Sequence, residues 1–126
     1  MESYKLSFCK INKLDVDTAE FIVNDGVEFD LPFVEEYHQW IQQNLIAPSF
    51  ILVNKKNSYT YTFEAQRKIG TIAEIKALAF VTYTPISEFT TQALSELPRE
   101  TSWNAAFFSD RESALTWLSE QRAASA

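Results

Sequence analysis

Two almost unbroken apolar runs constrain this chain most: Phe50-Ile51-Leu52-Val53, and IKALAFVTY over residues 75–83. A strand with one wet face alternates apolar and polar residues with a period of two. Neither run alternates, so each fits a strand covered on both faces, the position of a central strand in a largely parallel sheet. The chain therefore needs a layer on each side of that sheet. At 126 residues it is long enough for one such core and too short for two.

Helical patterns before, between and after the runs supply the layers. Asp30 is an expected cap for a helix over 31–45, with Pro32 near its first position, where a missing N–H costs nothing. Leu31, Val34, His38, Ile41 and Leu45 form its apolar stripe, flanked by Phe33, Tyr37 and Trp40. Thr60 or Thr62 caps a short helix over 63–69, stopped by Gly70. Thr84-Pro85 opens a third helix that presents Ile86, Phe89, Ala93 and Leu97 on one face, ended by Pro98. After a last strand over 105–108, Ser109-Asp110-Arg111-Glu112 reads as a capping box for a final helix with Ala114, Leu115, Trp117 and Leu118 inward. Residues 122–126 are expected to fray.

The first quarter reads as an antiparallel pair. Tyr4, Leu6 and Phe8 alternate with Lys5, Ser7 and Cys9 in a strand over 4–11; a turn follows at Asn12-Lys13, and alternation resumes from Leu14 into the buried run Phe21-Ile22-Val23. Asn24-Asp25-Gly26 ends it as a turn. The order is β-β-α-β-α-β-α-β-α. It predicts a single α/β domain over 1–126, with a mixed sheet of about five strands, a parallel centre and about four helices joined by right-handed crossovers.

Charge and cysteine usage narrow the function classes. A net charge of −6 and a pI near 4.7, with no long Lys/Arg cluster, exclude the basic surface that nucleic acid needs and make a basic protein patch the easier partner. Cys9 stands alone, so neither an intramolecular disulfide nor a thiolate metal cage can form, which suits a reducing compartment. No apolar run has signal-peptide or membrane-spanning length, so the cytoplasm is the expected location. No cofactor or metal motif is present.

The ILVN of the third strand followed by NSYTYTFEAQRKIG, the KALAFVTY strand and the closing FFSDRESALTWL together resemble the STAS family, specifically its stand-alone SpoIIAA-like members with the STAS/SEC14 fold. The resemblance implies a small non-enzymatic regulatory or protein-interaction module whose recognition edge is the loop and helix after the third strand. The SEC14 side implies a binding or carrier domain for an apolar or anionic small molecule, without the extra helices that enclose a lipid there. Family members that antagonise anti-sigma factors carry a phosphorylated serine in Asp-Ser-Ser-Gly at the start of that helix. Here the stretch is Asn57-Ser58-Tyr59-Thr60, so Ser58 is the nearest candidate for phosphorylation, with the Asp and Gly missing. A homodimer is left open.

The candidate ligand or partner residues are accordingly Asn54, Lys55, Lys56, Asn57, Ser58, Tyr59, Tyr61 and Tyr83, expected together at the carboxyl edge of the two apolar strands. Two lysines, hydroxyls and a helix start could hold a phosphate or carboxylate. The plainer reading is a solvated loop held by its caps, with the tyrosines packed to pin it. No catalytic set emerges. His38 lacks an identifiable nucleophile and orienting carboxylate, and is expected to be packed and hydrogen-bonded. Cys9, on an expected outer strand, is more simply a space-filler than a reactive thiolate. Asp15 and Asp17, with Asp25, Glu28 and Asp30 beyond them, lack a metal-binding spacing and read as a solvated acidic face.

Overall fold

The two apolar runs lie side by side as parallel central strands in the computed structural model, which describes residues 2–99 and 103–125. The elements in order are β1 (Glu2–Lys5), β2 (Cys9–Asp15), β3 (Thr18–Val23), β4 (Glu28–Phe29), α1 (Leu31–Asn44), β5 (Ser49–Asn54), β6 (Thr60–Tyr61), α2 (Phe63–Lys68), β7 (Ile75–Val81), α3 (Pro85–Ser95), β8 (Ala105–Phe108) and α4 (Arg111–Ala124). Six strands form one mixed sheet in the order β1-β2-β3-β5-β7-β8. The first two pairings are antiparallel and the remaining three parallel. This is the expected α/β domain with a parallel centre and four helices. A two-stranded parallel ribbon, β4 with β6, lies outside the main sheet.

The sheet separates two apolar layers. On one side Phe21, Val53 and Phe80 pack with Val34, Tyr37 and Ile41 of α1 and with Ala65 of α2. On the other, Phe50, Leu52 and Ala79 pack with Ala114 and Leu118 of α4. Each central strand thus sends alternate residues into different apolar layers, which is why the sequence shows no alternation there. In α1 the buried positions are Val34, Tyr37, Trp40 and Ile41, so the two aromatics lie at the centre of the inward face and His38 at its edge. Asp30 accepts from the Phe33 N–H at 3.0 Å, as its capping role requires.

Several local expectations are corrected. The strand over 4–11 is two strands, β1 and β2, broken at residues 6–8, which is why the sheet has six strands. The reversal expected at Asn12-Lys13 falls instead at Val16-Asp17, while Asn12 and Lys13 pair within the β2–β3 ladder. The break also brings Phe8 and Cys9 both into the core, at 1% exposure each, so Cys9 does not share a face with exposed Lys5 and Ser7. The cap of α4 is Asp110, which accepts from the Ser113 N–H at 2.8 Å, one residue later than the Ser109 box. Nor does the chain fray from 122: α4 runs to Ala124, and Arg122 bridges Asp17 and Asp15 at 2.8 and 3.0 Å. The expected solvated acidic face is therefore partly neutralised by that arginine. Among the described residues no helix is long and apolar enough to cross a membrane.

Candidate functional site

The 55–61 segment leaves the carboxyl end of β5 and runs opposite α3, enclosing a cleft of about 790 Å³. Lys55 is fixed at the start because its N–H donates to the Val81 carbonyl at 2.9 Å, holding the loop against the end of β7. Asn57 Nδ2 donates to the Val23 carbonyl at 3.0 Å, and the Ser58 N–H donates to Asp25 Oδ1 at 2.9 Å. The Gly26 N–H donates to the Ser58 carbonyl at 2.7 Å. The 24–26 turn thereby clamps the middle of the loop, and the β4–β6 ribbon holds its end.

Seven of the eight expected residues come together here: Lys55, Lys56, Asn57, Ser58, Tyr59, Tyr61 and Tyr83 all line the cleft. Asn54 does not. It points to the opposite side of the sheet, where its Nδ2 donates to Glu20 Oε2 at 2.9 Å, while its Oδ1 accepts from the Tyr83 hydroxyl at 2.9 Å. Ser58 is not at a helix start. The cap of α2 is Thr62, which accepts from the Ala65 N–H at 3.2 Å, so Ser58 precedes the cap by four residues with β6 between them.

The loop's expected roles combine. Tyr59 and Tyr61 are half-buried and join their hydroxyls at 3.2 Å, and Tyr61 also packs on Phe29. They pin the loop and line the cleft with the same rings. Lys55 Nζ lies 4.9 Å from the Tyr59 ring centre and 5.3 Å from that of Tyr61. Burial pulls its pKa down to about 8, whereas burial first of all pushes that of Tyr61 up to about 12. Phe63 stands outside, exposed, with the Arg67 guanidinium over its ring.

The far wall of the cleft is α3. The apolar face of Ile86, Phe89, Ala93 and Leu97 is not the buried one: Ile86 and Phe89 are 74% and 72% exposed, and the helix buries Thr91 and Leu94. Ala93 and Leu97 line the same cleft. Two residues outside the expected set tie the elements around the cleft together. Arg99 Nη2 donates to the carbonyls of Gln66 and Leu94 at 2.7 and 2.8 Å, and its guanidinium stacks on Trp103 at 4.0 Å, tying α3 to α2. Glu20, only 2% exposed, accepts from Asn12, Asn54 and both Nε and Nη2 of Arg111. Burial alone would raise its pKa, but hydrogen bonds from Arg111, Asn54 and Asn12 outweigh burial and lower it. A lone acid inside the TAEFIV strand was the available signal, since a charge at a covered position requires a partner.

The remaining reactive side chains lie elsewhere. His38 accepts from the Gly70 N–H through Nε2 at 2.9 Å, and burial lowers its pKa to about 4, so the imidazole is neutral and packed as expected. Burial pushes the Cys9 thiol up to about 12. Neither residue lines the cleft. Among the described residues no group of three His, Cys, Asp or Glu side chains is placed to hold a metal. No protein-family model, curated protein or solved structure matches the chain.

Proposed function

We propose that the chain is a non-enzymatic regulatory module of STAS type that binds a partner protein at the edge formed by the 55–61 loop and α3. The observation carrying this reading is the outward display of Ile86 and Phe89, beside exposed Tyr83, by a chain that packs most of its other large apolar side chains into its two layers. Apolar side chains clustered on a helix beside a concave surface supply the kind of anchor on which protein interfaces depend. Lys55 and Lys56 make the lining of the cleft locally basic despite the acidic whole, so the partner segment that enters it is apolar with an acidic flank.

Native mass spectrometry of the protein purified from its own cell tests the reading. A stoichiometric partner is expected, and the paired substitutions Ile86→Glu and Phe89→Glu should release it while leaving the fold intact. Repeated recovery of free monomer, or a partner retained by the double variant, would overturn it.

The concavity itself favours a second reading, a small-molecule binding or carrier domain of SEC14-like type. At about 790 Å³ the cleft falls within the roughly 300–1,000 Å³ typical of small-molecule sites.

A further inference from the structure

The cleft is anomalous in charge. The protein carries 17 acidic against 11 basic Lys and Arg residues, yet no Asp or Glu is among the described residues lining the cleft, whereas Lys55 and Lys56 both are. Among the described residues neither lysine makes an ion pair. Lys55 has the faces of Tyr59 and Tyr61 as neighbours in place of a carboxylate. Ring faces attract a cation but carry no net charge, so the ammonium is half-buried with its charge uncompensated. Across the cleft, Ile86, Phe89, Ala93 and Leu97 offer an apolar wall, and Thr84, Ser87 and Thr90 add hydroxyls.

We propose that the cleft binds a small amphipathic carboxylate, its head group paired with Lys55 between the tyrosines and its apolar body laid along the outward face of α3. The proposal rests on the small-molecule reading above and gives that ligand its chemistry. A carboxylate satisfies one ammonium, and its apolar body removes Ile86 and Phe89 from water. The site suits a monoanion better than a phosphate dianion. Phosphate sites gather several backbone N–H groups, usually in a glycine-rich turn, and the two glycines of this chain, Gly26 and Gly70, both lie outside the cleft. A cationic amphiphile would meet two lysines and no acid.

The test uses the full chain and four probes below their micelle thresholds: decanoate, decan-1-ol, decylamine and acetate, titrated by calorimetry with amide NMR mapping. Decanoate should bind one to one, with shifts concentrated in residues 55–61 and 84–97. Decanol, decylamine and acetate should each bind at least about tenfold more weakly. Lys55→Met should reduce decanoate affinity by about tenfold or more, and Lys55→Arg should retain most of it, with shifts outside the cleft unchanged in both. Equal binding of decanol and decanoate overturns the proposal even if Lys55→Met does not fold. So does full affinity in Lys55→Met, or the absence of saturable decanoate binding at 1 mM. A partner found by native mass spectrometry despite such a failure leaves the regulatory module standing. Conversely, decanoate binding by a chain that never yields a partner removes the module and keeps the ligand site.

Discussion

Glu20 shows how much one side chain can organise. Its carboxylate takes hydrogen bonds from three residues on β2, β5 and α4, and the Tyr83 hydroxyl reaches the same network through Asn54. Glu20→Ala leaves Asn12, Asn54 and Arg111 without their acceptor, and buried groups deprived of partners cost more than the lost bond itself. We expect a loss of about 2–3 kcal/mol in denaturant unfolding. Glu20→Gln, which keeps one acceptor oxygen, should lose less. His38 gives a separate pH signature. Its folded pKa, lowered by burial to about 4, lies below an ordinary value of 6.5, so between those limits the unfolded chain binds a proton that the folded chain does not. Stability from this residue is therefore complete above about pH 6.5 and lost progressively as pH falls toward about 4. The urea midpoint of the wild type should fall relative to that of His38→Gln between pH 7 and pH 4.5, and a difference that does not change with pH would contradict the shift. Neither role could be read from residue type alone. The sequence places His38 in the apolar stripe of α1, but its partner is a backbone N–H 32 residues away.

At the scale of elements, the end of α2 depends on Gly70, which holds φ at +74°, a left-handed conformation that glycine adopts without penalty. A Cβ there would lie 2.7 Å from Trp103 Nε1, the same nitrogen that donates to the Ile69 carbonyl at 3.0 Å. Gly70→Ala should combine backbone strain with displacement of the indole and destabilise by at least about 2 kcal/mol, measurable by chemical denaturation. A change below about 0.5 kcal/mol would show that the turn relaxes freely. The position of this stop was legible because glycine after a basic last turn, here Arg67-Lys68, marks a helix end. Helix faces were less legible. In α1 the stripe identified the buried side because it packs on the sheet, whereas in α3 the equally regular stripe lies in the cleft wall and Thr91 is buried instead. Periodicity establishes that a face is apolar; what covers it depends on the neighbouring elements.

At the scale of the whole molecule, the central strands were the most legible part. Their lack of alternation follows directly from two apolar layers, Phe21, Val53 and Phe80 on one side and Leu52 and Ala79 on the other. The antiparallel start was harder because the break at residues 6–8 changes which side chains face inward, and a one-residue shift exchanges the two faces. The candidate site was legible as a location: strand-end residues from β5 and beyond β7 meet because those strands are parallel neighbours. Its second wall was not, since nothing in the sequence places α3 across from Lys55. The central claim is that recognition occurs between that loop and that helix. Amide hydrogen exchange tests it most directly, comparing the chain carrying the partner or ligand isolated with it against the same chain after its removal. The account predicts slowed exchange concentrated in residues 55–61 and 84–97, and slowing confined to β1, β2 or α4 would contradict it.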